Sequence, residues 1–171
     1  MENNITGVTH EYFNRAEFWM LITMLAYFLM NGAQIFETAV TIPKWSANPP
    51  ASLSVLQGPY APDLKTFWIV AHSLHELTFI AAIILSWKLP QVRYALLVIF
   101  GLHFGVRVWT IGYFAPNMMA FQKLDVTTLS SEVQAAVIKW RNLNYVRVGA
   151  FLALSVGVAV LYYRMHLSAS R

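Results

Sequence analysis

The sequence predicts an all-α protein, a bundle of four transmembrane helices with a proline-rich loop between the first and second. Three observations predict it. The 171 residues are 57% hydrophobic and 12% charged, with a mean hydropathy of +0.50, too apolar for an ordinary soluble domain. Four runs reach the roughly 20 apolar residues that a bilayer core demands. All six tryptophans, Trp19, Trp45, Trp68, Trp87, Trp109 and Trp140, fall near the ends of those runs or in adjoining connections, as an interfacial belt requires.

The first span is expected over residues 18–40, ending before Pro43. Upstream of it, "MENNITGVTHEYFNRAEF" is polar and acidic and lacks the basic segment and small-residue cleavage site of a signal peptide. The first span is therefore expected to stay in the mature protein. The second span is expected over 67–87 and stops ahead of Pro90, because proline cannot continue the helical hydrogen-bond ladder without cost. The third is expected over 92–114, closed by Pro116, and the fourth over 142–163. Ser131 and Gln134 in "SSEVQAAVIKW" fit a capping box that would start the fourth helix upstream of its apolar run. Together the four spans make one domain, 1–171.

Four spans put both termini on one side of the membrane, side A, with the connection between spans two and three. Side B carries the two longer connections. The first of these, "IPKWSANPPASLSVLQGPYAPDLK", holds five of the seven prolines and is expected to form a stiff, irregular cap and a candidate lid. The formal charge is +4, but the cations cluster at the ends of apolar runs, as topology signals do, rather than forming a nucleic-acid surface. Side A packs Arg15, Lys88, Arg93, Arg164 and Arg171 into less loop than side B uses for its cations. That density favours a bacterial inner-membrane protein with both termini cytoplasmic. There is no cysteine, which excludes disulfides, thiolate metal sites and thiol nucleophiles.

Polar groups inside a span cost about 2.5 to 3.5 kcal/mol each near the bilayer centre and need partners. The alternating direction of the spans fixes their depth. Asn31, Gln34 and Glu37 lie in the side-B half of span one, and His72, His75 and Glu76 in the same half of span two. Span three brings Arg107 and Thr110 there, with His103 near its middle, and span four brings Asn142, Asn144 and Arg147. The other half of each span is almost pure Leu, Ile, Val, Ala and Phe. Lipid cannot satisfy such groups, so these faces turn inward. Glu37 and Glu76 against Arg107 and Arg147 can make the layer neutral. Such a network could simply specify helix packing, or it could line a functional cavity.

Three chemistries suit this residue set. The first is a transition metal held by His72, His75, His103, Glu37 and Glu76, although H-x-x-H-E is no zincin motif and two carboxylates are too few for a ferritin-like di-iron site. The second is a haem ligated by histidines on two helices, such as His75 and His103. The third needs no cofactor: His72, His75 or His103 acts as a base tuned by Glu76, while Arg107, Arg147, Asn31, Gln34 and Asn144 hold a developing phenolate or enolate oxygen. No cofactor is favoured by spacing. The expected partners are the lipid bilayer and a hydrophobic small molecule, with no nucleic acid; an oligomer and a non-enzymatic partner subunit or binder stay open.

The fourth span, "KWRNLNYVRVGAFLALSVGVAVLYY", places Trp140, Asn144 and Arg147 in a W-x-x-x-N-x-x-R arrangement. It resembles the last helix of the anthrone oxygenase-like family of small four-span membrane proteins (domain of unknown function 1772, DUF1772). "NGAQIFETAVTIPKW" is compatible with that family's opening helix, whereas "HSLHE" matches no family motif. The resemblance implies a four-span fold and, for some members, oxygenation of anthrones to anthraquinones without metal or flavin. It also implies Asn144, Arg147 and Trp140 as pocket residues.

Overall fold

A computed structural model describes residues 8–127 and 130–169. The first residues of the polar N-terminal segment, and Arg171 among the side-A cations, lie outside the described residues. Helix α1 spans His10–Phe36 and continues through a π-helical turn, Glu37–Thr41, into α2, Ile42–Trp45. After a 3-10 turn at Ala51–Leu56 come α3 (Leu64–Leu85) and α4 (Pro90–Trp109). A second π-helical turn, Thr110–Phe114, leads into α5 (Ala115–Phe121), and α6 spans Ser131–Ala169. The fold is a helical bundle in which four helical rods, 10–45, 64–85, 90–121 and 131–168, are long and apolar enough to cross a membrane.

The rods run longer than the apolar runs, for reasons local to their ends. At the start of α1 the Thr9 side chain accepts from the Tyr12 N–H at 3.3 Å, and Glu11 pairs with Arg15 one turn on. These residues extend the helix by two polar turns that hydropathy does not register. Pro43 and Pro116 were expected to end their helices, yet both lie inside continuous rods. Each follows a π-helical turn, in which the Ile42 N–H reaches back to the Glu37 carbonyl and the Ala115 N–H to the Thr110 carbonyl. The widened turn relieves the ring-to-carbonyl clash that ends an α-helix at proline.

The cap of α6 also differs from expectation. Ser130 Oγ, not Ser131, accepts from the backbone N–H of Val133 at 3.3 Å. The helix thus begins one residue after the serine that satisfies its free N–H groups. Ser130→Ala is expected to lower stability by about 1 kcal/mol, read as a lower thermal midpoint in detergent. At the start of α3, Asp63 accepts from the Thr66 N–H at 3.0 Å, and that backbone bond holds its exposed carboxyl below the ordinary carboxylate range. A carboxylate with a depressed folded pKa stabilises above its unfolded value, and the contribution fades as pH falls through the folded one. The Thr66 amide resonance should therefore shift as pH drops below about 4, and Asp63→Ala should abolish that shift.

Consecutive rods are antiparallel. At one end of the bundle the Lys88 N–H donates to Tyr12 Oη at 3.0 Å, and His166 meets Glu17 at 2.6 Å. At the other end the Trp140 indole donates to the Phe114 carbonyl at 3.1 Å. Helix α1 packs along both α3 and α6, and α6 also packs along α4, whereas α3 and α4 touch over a short stretch only. The bundle is least tightly closed at that α3–α4 seam.

The proline-rich connection is a packed cap. Trp45, Leu53 and Leu56 are buried against Phe114, Phe121, Val137 and Trp140, and Ser52 Oγ donates to the Trp45 carbonyl at 2.7 Å. Trp45 and Trp140, expected in the interfacial belt, are instead core residues of this cap, with ring centroids 5.2 Å apart. Position near a span end does not distinguish a ring facing the membrane surface from one turned inward onto aromatic neighbours. Trp87, by contrast, is 54% exposed.

Candidate functional site

The bundle gathers most of the expected polar residues in its side-B half, in two environments, whereas Asn142, expected to turn inward, is exposed. The first is a sealed cluster drawn from all four rods. Tyr27 of α1 is fully buried, and its hydroxyl lies 2.9 Å from His103 Nδ1, donating when that imidazole carries its proton on Nε2. The Tyr27 ring centroid is 4.3 Å from that of His75, and the His75 and His103 rings are 5.0 Å apart. Phe151 of α6 closes the cluster 5.3 Å from His103. Neither ring nitrogen of His75 has a hydrogen-bond partner among the described residues.

The second environment is a cavity of about 270 Å³ between the first turns of α3 and the α4–α5 rod. Its inner wall is made by Gln34, Glu37, His72, Arg107, Phe114, Trp140 and Arg147, and its outer wall by Ile69, Ile111, Met118 and Met119. Three of the inner residues bring buried polar atoms that have no partner among the described residues: Gln34 Oε1, His72 Nδ1 and Arg147 Nε. Such atoms are rare in folded proteins, where burial without a hydrogen bond carries the full desolvation cost. His72 is fixed from two sides, its ring 5.4 Å from Trp68 and 6.1 Å from Phe151.

The π-helical turn of the first rod shapes this wall. Glu37 opens that turn, and its Oε2 accepts from the Trp68 indole at 3.0 Å. Thr38, next along, accepts from Asn144 Nδ2 at 3.1 Å, while Asn144 Oδ1 accepts from the Arg147 guanidinium at 2.6 Å. Trp140, Asn144 and Arg147 thus act as one unit, with the guanidinium over the faces of Phe114 at 4.3 Å and Trp140 at 5.9 Å. Asn144 stands behind Arg147 rather than in the cavity wall, and Asn31 points away, its amide 3.5 Å from the Phe151 carbonyl.

Two expected pairings take another form. His72 and Glu76, four residues apart, were expected to couple, but Glu76 Oε1 accepts from Arg107 Nε at 2.9 Å. Residues one turn apart share a broad face only. His72 turns inward onto Phe151, while Glu76, with its side chain 32% exposed, turns toward α4. The neutral layer is likewise only half built as ion pairs, because Glu37 is bonded to Trp68 and makes no ion pair with Arg147. Among the candidate bases, His72 lines the cavity, while His75 and His103 belong to the sealed cluster behind it.

The packing bears on the metal and haem expectations as well. Among the described residues no three His, Asp or Glu side chains converge on a point that could hold a metal ion. A haem between His75 and His103 does not fit this packing, because their rings are in contact with each other and with Tyr27, Phe79 and Phe151. Three contributors were not singled out from sequence: Tyr27, Trp68 and Thr38. A helical-spacing signal existed for two of them, since Tyr27 precedes Asn31 and Trp68 precedes His72 by one turn.

No protein-family model, curated protein or solved structure matches the chain. The likeness of the last helix to the anthrone oxygenase-like family therefore rests on its residues alone.

Proposed function

We propose that the chain is an integral membrane enzyme of oxygenase type, acting without a bound cofactor on a hydrophobic aromatic or quinone-like small molecule in the cavity beside His72. One observation carries this reading. Gln34, His72 and Arg147 line a single, mostly apolar cavity, and each also carries a buried polar atom without a partner among the described residues. The wall thus holds hydrogen-bonding capacity that a ligand with polar groups can draw on as the side chains adjust. The cavity volume of about 270 Å³ lies at the small end of ligand pockets.

In this reading His72 is the general base, removing a proton from an acidic carbon or phenol of the substrate. Arg147 and Arg107 stabilise the oxyanion that forms, and Trp140 packs against the ring. Oxidation of an activated CH₂ to a carbonyl then consumes one dioxygen and releases one water, as the resemblance of the last helix implies. His75, His103 and Tyr27 form the rigid wall that fixes the rings around His72. The density of cations on side A supports a bacterial inner-membrane location with both termini cytoplasmic.

The test is oxygen uptake by the purified protein in mild detergent with anthrone as probe, alongside an absorption spectrum and elemental analysis of the same sample. Protein-dependent oxygen consumption matched by anthraquinone formation is expected from a colourless sample. A Soret band or one transition metal per chain would overturn the cofactor-free reading, and anthrone binding without oxygen uptake would make the protein a binder.

A further inference from the structure

The charges lining the cavity are only partly paired by direct contact. Its walls carry three cations, Lys65, Arg107 and Arg147, against one carboxylate, Glu37. Glu76 offsets Arg107 from outside the cavity. Lys65, in the first turn of α3, is exposed and solvated at the membrane surface. Arg147 is different: it is only 8% exposed, it makes no ion pair among the described residues, and its Nε has no partner there. Its direct contacts are one amide oxygen and two aromatic faces, with the Glu37 carboxylate near enough to attract it but not in contact. A buried guanidinium so placed lacks the carboxylate or phosphate geometry that its fork of donors fits best.

The cavity also opens sideways. Ile69, Ile111 and Met119 line it and are 55%, 61% and 39% exposed on the outer surface of the bundle. They flank the side of the bundle where α3 and the α4–α5 rod are in least contact, and both rods are long and apolar enough to cross a membrane. An apolar body can therefore lie across the seam in contact with lipid while a polar head reaches Arg147. Gln34, on the same inner wall, can turn an amide donor toward that head.

We infer that the cavity takes a membrane-soluble amphiphile with one anionic oxygen head, a carboxylate or phenolate, which pairs with Arg147 while the apolar body lies between α3 and the α4–α5 rod. This deepens the small-molecule reading above and rests on it. Glu37, the one carboxylate in the wall, opposes such a ligand and limits it to a single charge. Lys65 draws the head to the mouth from the membrane surface.

The test uses the full chain in phosphatidylcholine nanodiscs, with 9-anthracenecarboxylate and the neutral 9-anthracenemethanol as probes, read by energy transfer from the tryptophans. The carboxylate is expected to bind about tenfold tighter than the alcohol, the worth of one charge-assisted hydrogen bond. Arg147→Gln is expected to bring the two affinities together while the alcohol still binds. Glu37→Gln is expected to tighten the carboxylate severalfold. Saturable, equal binding of both probes to the unaltered protein would overturn the anionic head and leave the small-molecule reading standing. Failure of both probes to bind saturably would overturn both readings, and binding of the alcohol without the carboxylate would overturn the anionic head. Should Arg147→Gln not fold, the Glu37→Gln protein decides, since unchanged or weaker carboxylate binding there contradicts the inference.

Discussion

Replacing His72 by asparagine is expected to lower oxygen uptake by a factor of about 10² to 10⁴, the usual contribution of a positioned general base, with little change in the thermal midpoint. Asparagine keeps a polar group against Trp68 and Phe151 but cannot take the proton. His72 Nδ1 has no partner among the described residues, so its loss breaks no hydrogen bond within the bundle. His75→Asn should behave oppositely. His75 is packed between Tyr27, Phe79 and His103 and lies outside the cavity wall, so its replacement should lower the midpoint first. Comparing oxygen uptake per folded molecule in the two variants separates a base from a packing residue. Equal losses of activity at matched stability would remove His72 from its assigned role.

The largest stability effect is expected at Tyr27. Its ring touches His75, His103, Phe79 and Phe151 and joins helices from all four rods, and no part of it is exposed. Tyr27→Ala should destabilise the bundle by about 3 to 5 kcal/mol, because truncating a buried aromatic ring leaves a cavity that the surrounding rings cannot fill. Tyr27→Phe keeps the ring and removes only the hydroxyl 2.9 Å from His103 Nδ1. It should cost about 1 to 2 kcal/mol, the expense of one buried nitrogen left without its partner. Both are read from thermal unfolding in detergent. A Tyr27→Phe loss as large as that of Tyr27→Ala would mean that the hydrogen bond, not ring packing, holds the cluster.

Much of this layout is legible in sequence because the bilayer reads composition directly. Hydropathy locates the four rods, and counting from alternate ends places Gln34, His72, Arg107 and Arg147 at one depth, which the cavity then brings together. Rotation about each helix axis is not legible in the same way. A spacing of three or four residues puts His72, His75 and Glu76 on one broad face, yet they end in a cavity wall, a sealed cluster and a lipid-side ion pair. Which way each side chain turns is decided by the neighbouring helix. The π-helical turns were hidden for a related reason. Pro43 and Pro116 read as helix ends by the rule for regular α-helices, and only a widened turn such as Glu37–Thr41 lets the rod continue. That same turn carries Glu37 to Trp68 and Thr38 to Asn144, so a feature with no periodic signature shapes the wall of the site.

The central claim is that a hydrophobic small molecule occupies the space between α3 and the α4–α5 rod beside His72. Photolabelling with a diazirine-bearing anthracenecarboxylate, with and without excess unmodified 9-anthracenecarboxylate, followed by mass-spectrometric mapping, tests it most directly. Labels suppressed by the competitor are expected on Ile69, Ile111, Met118 and Met119, which line the cavity. Suppressible labels on lipid-facing positions remote from it, such as Leu29 or Leu102, or labelling that the competitor leaves unchanged everywhere, would contradict the account.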